Sequence, residues 1–165
     1  MLYRDSPTIE VTLTVPATPH DVWSLVTDIG FPVRHSTELQ AVQWLGDSDG
    51  VRVGARFRGT SSHPATGEWS TECLVTEVDP PRRWVWQVCG SDDDPVATWA
   101  FEVEPARDGV LVRQWARMGP GPSGLTPAIR ASPEKEARIV ARRLEQWRTS
   151  MTANLEGLRQ DLQRS

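Results

Sequence analysis

The chain has 165 residues, a formal net charge of -4 and 38% hydrophobic residues, which is typical of one globular domain. An acidic chain lacks the surplus of Lys and Arg that neutralises phosphates, so we expect no nucleic-acid partner. No apolar run approaches the roughly 20 residues that span a bilayer, and no secretory signal follows Met1. We therefore expect a single domain over residues 1–165, soluble and cytoplasmic, without membrane insertion, as a monomer or homodimer.

The chain opens with a predicted strand and helix. Residues 8–15 alternate apolar and polar side chains, the period of a half-buried strand. Thr18 and Pro19 then supply an N-cap and a proline at the first helical position, which predicts a helix. Gly30 and Pro32 end that helix, and the segment that follows is predicted to form a further helical turn.

The middle of the chain predicts an antiparallel meander. Strand-like runs alternate with turn sequences rich in Gly, Asp and Pro, and the connections are too short for helical crossovers. The predicted strands span residues 39–45, 55–62, 68–78, 83–89, 97–104 and 110–118.

A long C-terminal helix is predicted after a Gly/Pro-rich stretch at 118–124, which indicates a mobile or shaped loop. Ser132 and Pro133 supply an N-cap and first-turn proline, and no helix breaker follows before Gly157. Roughly 30 helical residues at ~1.5 Å each would reach ~45 Å. The apolar residues recur every three or four positions and form one face, at Val140, Leu144, Trp147, Met151, Leu155, Leu158 and Leu162.

This order of elements resembles the START-like (SRPBCC, helix-grip) superfamily, in particular its polyketide cyclase/dehydrase-type branch. The residues that carry the resemblance lie at 9–17 (IEVTLTVPA), 21–28 (DVWSLVTD) and 75–83 (VTEVDPPRR), and in the long last helix. The resemblance implies an α+β helix-grip fold. In it a curved antiparallel sheet of about seven strands wraps around the C-terminal helix, and two short helices follow the first strand.

The resemblance also implies a function. The first hypothesis is a carrier or sequestering protein, lipid transport included, that binds a hydrophobic or aromatic small molecule in an internal cavity. The alternatives are a polyketide aromatase/cyclase that acts on a poly-ketone chain and a co-chaperone or toxin-resistance interaction module. Because the sequence contains no His-Glu-x-x-His pattern and no nucleotide fingerprint, we expect no metal and no cofactor, and enzymatic activity stays open.

Eight Trp residues stand out against three Phe and one Tyr. Large flat rings suit the wall of a pocket, but they equally suit a filled core, and both interpretations stay open. Strand alternation and the helical stripe predict the ligand-binding residues as Trp69, Trp84, Trp86, Trp99, Phe101, Gln114, Met118, Val140 and Trp147.

Two polar residues are candidates for chemistry. Gln114 has apolar neighbours at alternate positions, so it is predicted to be buried and to need a ligand, a water or a backbone group as partner. His35 lies between the predicted short helix and the second strand, near the expected entrance, and could act as acid or base. A plain surface position is the favoured interpretation of His35.

Overall fold

The computed structural model describes residues 1–164. Within them the chain forms 3₁₀ turns at Tyr3–Asp5 and Pro133–Lys135. The strands and α-helices follow the order β1 (Thr8–Val15), α1 (Pro19–Val26), α2 (Phe31–His35), β2 (Leu39–Trp44), β3 (Arg56–His63), β4 (Gly67–Asp79), β5 (Arg83–Val88), β6 (Ala97–Ala106), β7 (Gly109–Met118), α3 (Thr126–Ala131) and α4 (Glu136–Arg164).

The strands form one curved antiparallel sheet in the order β1-β7-β6-β5-β4-β3-β2. Strands β2 to β7 pair in chain order, and β1 completes the sheet by pairing with β7. The register places Trp86 opposite Trp99 and Phe101 opposite Gln114, so these four side chains share the inner face. The predicted α+β helix-grip architecture is confirmed.

A β-bulge in β4 resolves a conflict in the sequence pattern. Regular alternation that puts Cys73 and Val75 inside would also put Glu77 inside. The register shift between Val75 and Glu77 inserts one extra residue, Thr76, opposite β5. As a result Glu77 is exposed and Val78 packs against the core.

The long helix was predicted correctly in extent, but its start differs in detail. Ser132 makes no side-chain capping hydrogen bond, and the first turn is the 3₁₀ turn, after which α4 continues for 29 residues. The short α3 was not predicted, although a proline near its start is a helix-start signal.

Helix α4 connects two clusters of buried apolar side chains. Leu155 and Leu158 belong to a cluster that includes residues of α1, α2 and the sheet. Val140 and Met151 belong to a second cluster with Ile9 and Met118. None of the helices formed by residues 1–164 is long and apolar enough to cross a membrane.

Candidate functional site: an aromatic cavity under the C-terminal helix

A cavity of about 1000 Å³ lies between the inner face of the sheet and α4. Helix α4 packs against β1 and β7, at one edge of the sheet. The inner faces of β3 to β6 curve away from this contact, and their side chains line the cavity. The volume is at the upper end of the range of small-molecule sites, about 300–1,000 Å³.

Aromatic rings form a continuous wall along the cavity. Trp84 stacks on Trp86, with centroids 4.3 Å apart and ring planes 28° apart. Trp86 is nearly parallel to Trp99, at 6.4 Å and 15°. Trp99 in turn contacts Trp147 of α4 at 5.0 Å. The wall therefore runs from the sheet across to the helix.

The tryptophan side chains of this wall differ in how much of their ring surface is accessible to a ligand. Trp84 is only 2% exposed, and its Nε1 donates to the backbone oxygen of Val26 at 2.9 Å, which ties the sheet to α1. Trp69, Trp86 and Trp99 line the cavity and are only half-buried. These three keep ring surface that a ligand could cover.

Two amides meet at the buried end of the cavity. Asn154 of α4 donates through Nδ2 to Gln114 Oε1 at 3.1 Å, and the two residues are 3% and 2% exposed. The partner of Gln114 is therefore a side chain on the helix, where the sequence suggested a ligand, water or backbone group. Asn154 Oδ1 is buried and accepts no hydrogen bond within the described residues.

An ion pair closes the cavity between α4 and the start of β2. Arg143 donates to both carboxylate oxygens of Glu38, at 2.6 and 3.1 Å, and to Gln146 Oε1 at 2.7 Å. Its guanidinium lies over the rings of Trp69 and Trp147, at 5.4 and 5.8 Å from their centroids. The charge of Arg143 is thus neutralised by Glu38 at the wall.

The mouth of the cavity is formed by α3 and neighbouring loops. Exposed residues that line it include Thr66 of the β3–β4 turn, Ser91 of the β5–β6 loop and Arg130 of α3. The Gly/Pro-rich loop beside it is shaped by contacts: Gly121 donates to the Pro95 backbone oxygen at 2.8 Å. A Cβ at Gly121 would collide with the backbone of Asp94, so only glycine allows this approach.

Tyr3 fastens the N-terminus to the same loop. Its hydroxyl donates to the Gly121 backbone oxygen at 2.7 Å, while its backbone N–H donates to Glu136 at the start of α4 at 2.8 Å. Burial raises the pKa of the Tyr3 hydroxyl. This hydroxyl is protonated and already donates to the protein. The role of Tyr3 at the cavity is therefore to stabilise the position of the Gly/Pro-rich loop.

The titratable groups on the described cavity wall are mostly paired or neutral. Asp28 accepts from the Gly30 backbone and from Arg34, at 2.9 and 3.0 Å. Burial raises the pKa of the Cys73 thiol to about 12, so that group stays protonated. In the part of the chain that the structure describes, no three His, Cys, Asp or Glu side chains are grouped to hold a metal ion.

Two predicted site residues lie away from the cavity. His35 is hydrogen-bonded to Asp161 of α4 at 2.8 Å and its ring packs against Phe31 and over Gly157, so it joins α2 to α4 instead of standing at the entrance. Val140 is 1% exposed within the second apolar cluster. The structure therefore corrects the placement of both residues, which contact neighbouring elements instead of the cavity.

The remaining predicted site residues are brought together. They all line the cavity, and they come from β4, β5, β6, β7 and α4, namely Trp69, Trp84, Trp86, Trp99, Phe101, Gln114, Met118 and Trp147. Sequence reasoning missed Asn154, Arg143 and Glu38. A signal for Asn154 existed, because it lies three residues after Met151 and four before Leu158, a polar residue within the apolar stripe.

A curved antiparallel sheet that encloses a ring-lined cavity beneath one long helix defines a ligand-binding domain of the helix-grip (SRPBCC) type. The chain belongs to the family described as "Polyketide cyclase / dehydrase and lipid transport", whose sequence model matches residues 6–163. This match confirms the resemblance found in the sequence.

Solved structures share the fold. The Polyketide_cyc-like protein Cgl2372 from Corynebacterium glutamicum is 23% identical, with a TM-score of 0.65 over 96% of this chain and 92% of that one. The KanY protein (ms6282) is 17% identical, with a TM-score of 0.67 over 96% and 98%. NE0264 from Nitrosomonas europaea is 15% identical, with a TM-score of 0.61 over 93% and 95%. A comparison with curated proteins finds no match.

Proposed function

We propose that this domain binds a hydrophobic, ring-containing small molecule in the cavity and carries or sequesters it. The observation that supports the proposal is a volume of about 1000 Å³ whose wall includes three half-buried indoles. Covering apolar surface releases about 25 cal/mol per Å², and aromatic faces add stacking energy with flat ligands. The ligand would lie against Trp69, Trp86 and Trp99, and the protein would act in the cytoplasm.

Tryptophan fluorescence tests this proposal directly. Titration with cholesterol and 2-naphthol should change the emission for at least one of these two ring-containing probes, with oleic acid as the ring-free comparison, and calorimetry should give a matching dissociation constant. Trp99→Leu should weaken the binding of that probe by roughly 3- to 10-fold, because it removes one stacking face.

The matched control is Trp115→Leu. Trp115 is on the neighbouring strand β7, but its Nε1 donates to Glu102 at 2.7 Å and it does not line the cavity. Its replacement should leave the dissociation constant unchanged. No response to either ring-containing probe, or equal losses in the two variants, would count against a ring-lined binding site.

The family description also names cyclase and dehydrase activity, and this is the second candidate. Such a reaction needs a group that removes a proton from the substrate. Among the described residues of the cavity wall, Glu38 and Asp28 are each paired with an arginine, and the Cys73 thiol is held protonated with a pKa of about 12. These groups therefore fit a carrier protein without catalytic activity better than they fit a dehydrase.

A further inference from the structure

Two arginines that line the cavity lack an ionic partner. Arg130 of α3 and Arg142 of α4 both line the cavity and both are exposed. Helix α3 packs against α4, so the two helices together form this part of the mouth. Among residues 1–164, neither guanidinium makes an ion pair or a hydrogen bond.

The carboxylates of the described cavity wall are already occupied. Asp28 pairs with Arg34 at 3.0 Å. Glu38 pairs with Arg143 at 2.6 Å, and no other Asp or Glu of the described residues lines the cavity. The aspartates at 92–94 in the β5–β6 loop are not part of the lining and form no ion pair with either arginine. The mouth therefore has two cationic groups without a counter-charge, in a chain whose net charge is -4.

The inside of the cavity is suited to neutral groups. Its sheet side is the aromatic wall, and at the buried end Asn154 donates to Gln114. A charged group that is buried without a partner is costly. A ligand with one charged end would therefore place its rings against the indoles and its charge at the mouth.

We propose that the ligand is an amphipathic anion, a ring system with a carboxylate or phosphate at one end, and that Arg130 and Arg142 bind this anionic end at the mouth. A guanidinium can donate two parallel hydrogen bonds to either group. This inference rests on the proposed function, because it adds the charge and the orientation of the ligand in the same cavity.

The distances allow one molecule to contact both the rings and the arginines. Arg142 precedes Trp147 by five residues, which is ~7.5 Å along the axis of α4. Trp147 contacts Trp99 of the aromatic wall. A fused ring system with a short aliphatic tail can cover the indoles and extend its anionic group to the mouth.

The test uses two probes of the same shape that differ in charge. 1-Pyrenebutyrate ends in a carboxylate, and 1-pyrenebutyramide ends in a neutral amide. Titration of the intact protein, followed by tryptophan fluorescence, should give roughly 3- to 10-fold tighter binding of the acid, the effect of two solvent-screened ion pairs. Because the amide is the less strongly hydrated of the two, apolar burial alone would not favour the acid.

Variants assign this preference to the mouth. Replacing both arginines, Arg130→Gln with Arg142→Gln, should bring the ratio of the two dissociation constants to about one, mainly by weakening the acid. The matched control is Arg138→Gln, which removes an exposed arginine of α4 that lies one turn before Arg142 and does not line the cavity. This variant should keep the ratio. Circular dichroism checks that each variant is folded.

Salt provides a second readout. Raising NaCl from about 0.05 M to about 0.5 M should lower the ratio for the unaltered protein, because mobile ions screen exposed charges. The ratio of the double variant should not respond to salt.

The outcomes distinguish this inference from the proposed function. If the acid binds the unaltered protein no tighter than the amide, or if the preference persists in the double variant, the anionic ligand class is refuted, and binding of cholesterol or 2-naphthol keeps the proposed function. An equal loss in Arg138→Gln would show a general attraction of anions to the basic surface of α4, and would also overturn the role of the mouth. If neither pyrene probe, cholesterol nor 2-naphthol binds, the proposed function itself is refuted.

Discussion

At the scale of single residues, His35 and Gly157 depend on each other. A Cβ on Gly157 would collide with the His35 ring, which is held by Asp161 on one side and Phe31 on the other. Glycine costs roughly 0.5–1 kcal/mol of helix stability relative to alanine. At this position the close contact between α2 and α4 offsets that cost.

We expect Gly157→Ala to destabilise the protein by about 1 kcal/mol, because overpacking of about 1–3 kcal/mol exceeds the gain in helix propensity. In a His35→Ala background the collision is gone, and the same change should stabilise by about 0.5–1 kcal/mol. Urea denaturation of the four proteins measures both differences. An effect of the same sign in both backgrounds would show that the ring does not set the requirement for glycine.

At the scale of elements, the Glu38–Arg143 ion pair joins α4 to the edge of the sheet that the helix does not cover. The two side chains are 14% and 16% exposed, so solvent screens their attraction only weakly. The guanidinium also covers the rings of Trp69 and Trp147. This contact therefore fixes the distance between helix and sheet across the cavity.

A double-mutant cycle with Glu38→Gln and Arg143→Met should give a coupling energy of about 1–3 kcal/mol in urea unfolding. The control is the Glu145–Arg148 pair on the same helix, whose side chains are 70% and 52% exposed. Its coupling should stay below about 0.5 kcal/mol. Equal coupling in the two pairs would mean that the Glu38–Arg143 contact is no more than a surface ion pair.

For the molecule as a whole, the cavity exists because the contacts between α4 and the sheet lie along the border of the cavity and leave its middle unfilled. The helix contributes Leu155 and Leu158 to one apolar cluster and Trp147 and Met151 to the other. Neither cluster is complete without the helix. We therefore propose that residues 1–165 form a single cooperative domain.

Cooperative unfolding follows from this arrangement. Urea transitions followed by tryptophan fluorescence, to which the five indoles of the cavity wall contribute most of the rings, and by far-UV circular dichroism, which reports mainly α4, should have the same midpoint. A lower midpoint urea concentration for the helical signal than for the fluorescence signal would indicate that α4 detaches before the sheet unfolds. That result would contradict a single cooperative unit.

Local sequence patterns were enough to predict the strands, most of their inner faces and the long helix; the exception is β4, where the bulge at Thr76 reverses the alternation. These features depend on alternation of period two, on spacings of three and four, and on turn residues, all of which are local in the chain. The same local pattern indicated that Gln114 is buried and that Trp86 and Trp99 share a face.

The pairing of distant side chains and the volume of the cavity follow from the tertiary structure and not from any local pattern. The bonds of Asn154 to Gln114, Arg143 to Glu38 and His35 to Asp161 join residues 40, 105 and 126 positions apart, and alternation says nothing about such pairs. The cavity depends on how far α4 stands from the curved sheet, which no single segment encodes. For the same reason Val140 and Trp147, two turns apart on one helical stripe, differ in their surroundings: Trp147 lines the cavity and Val140 does not.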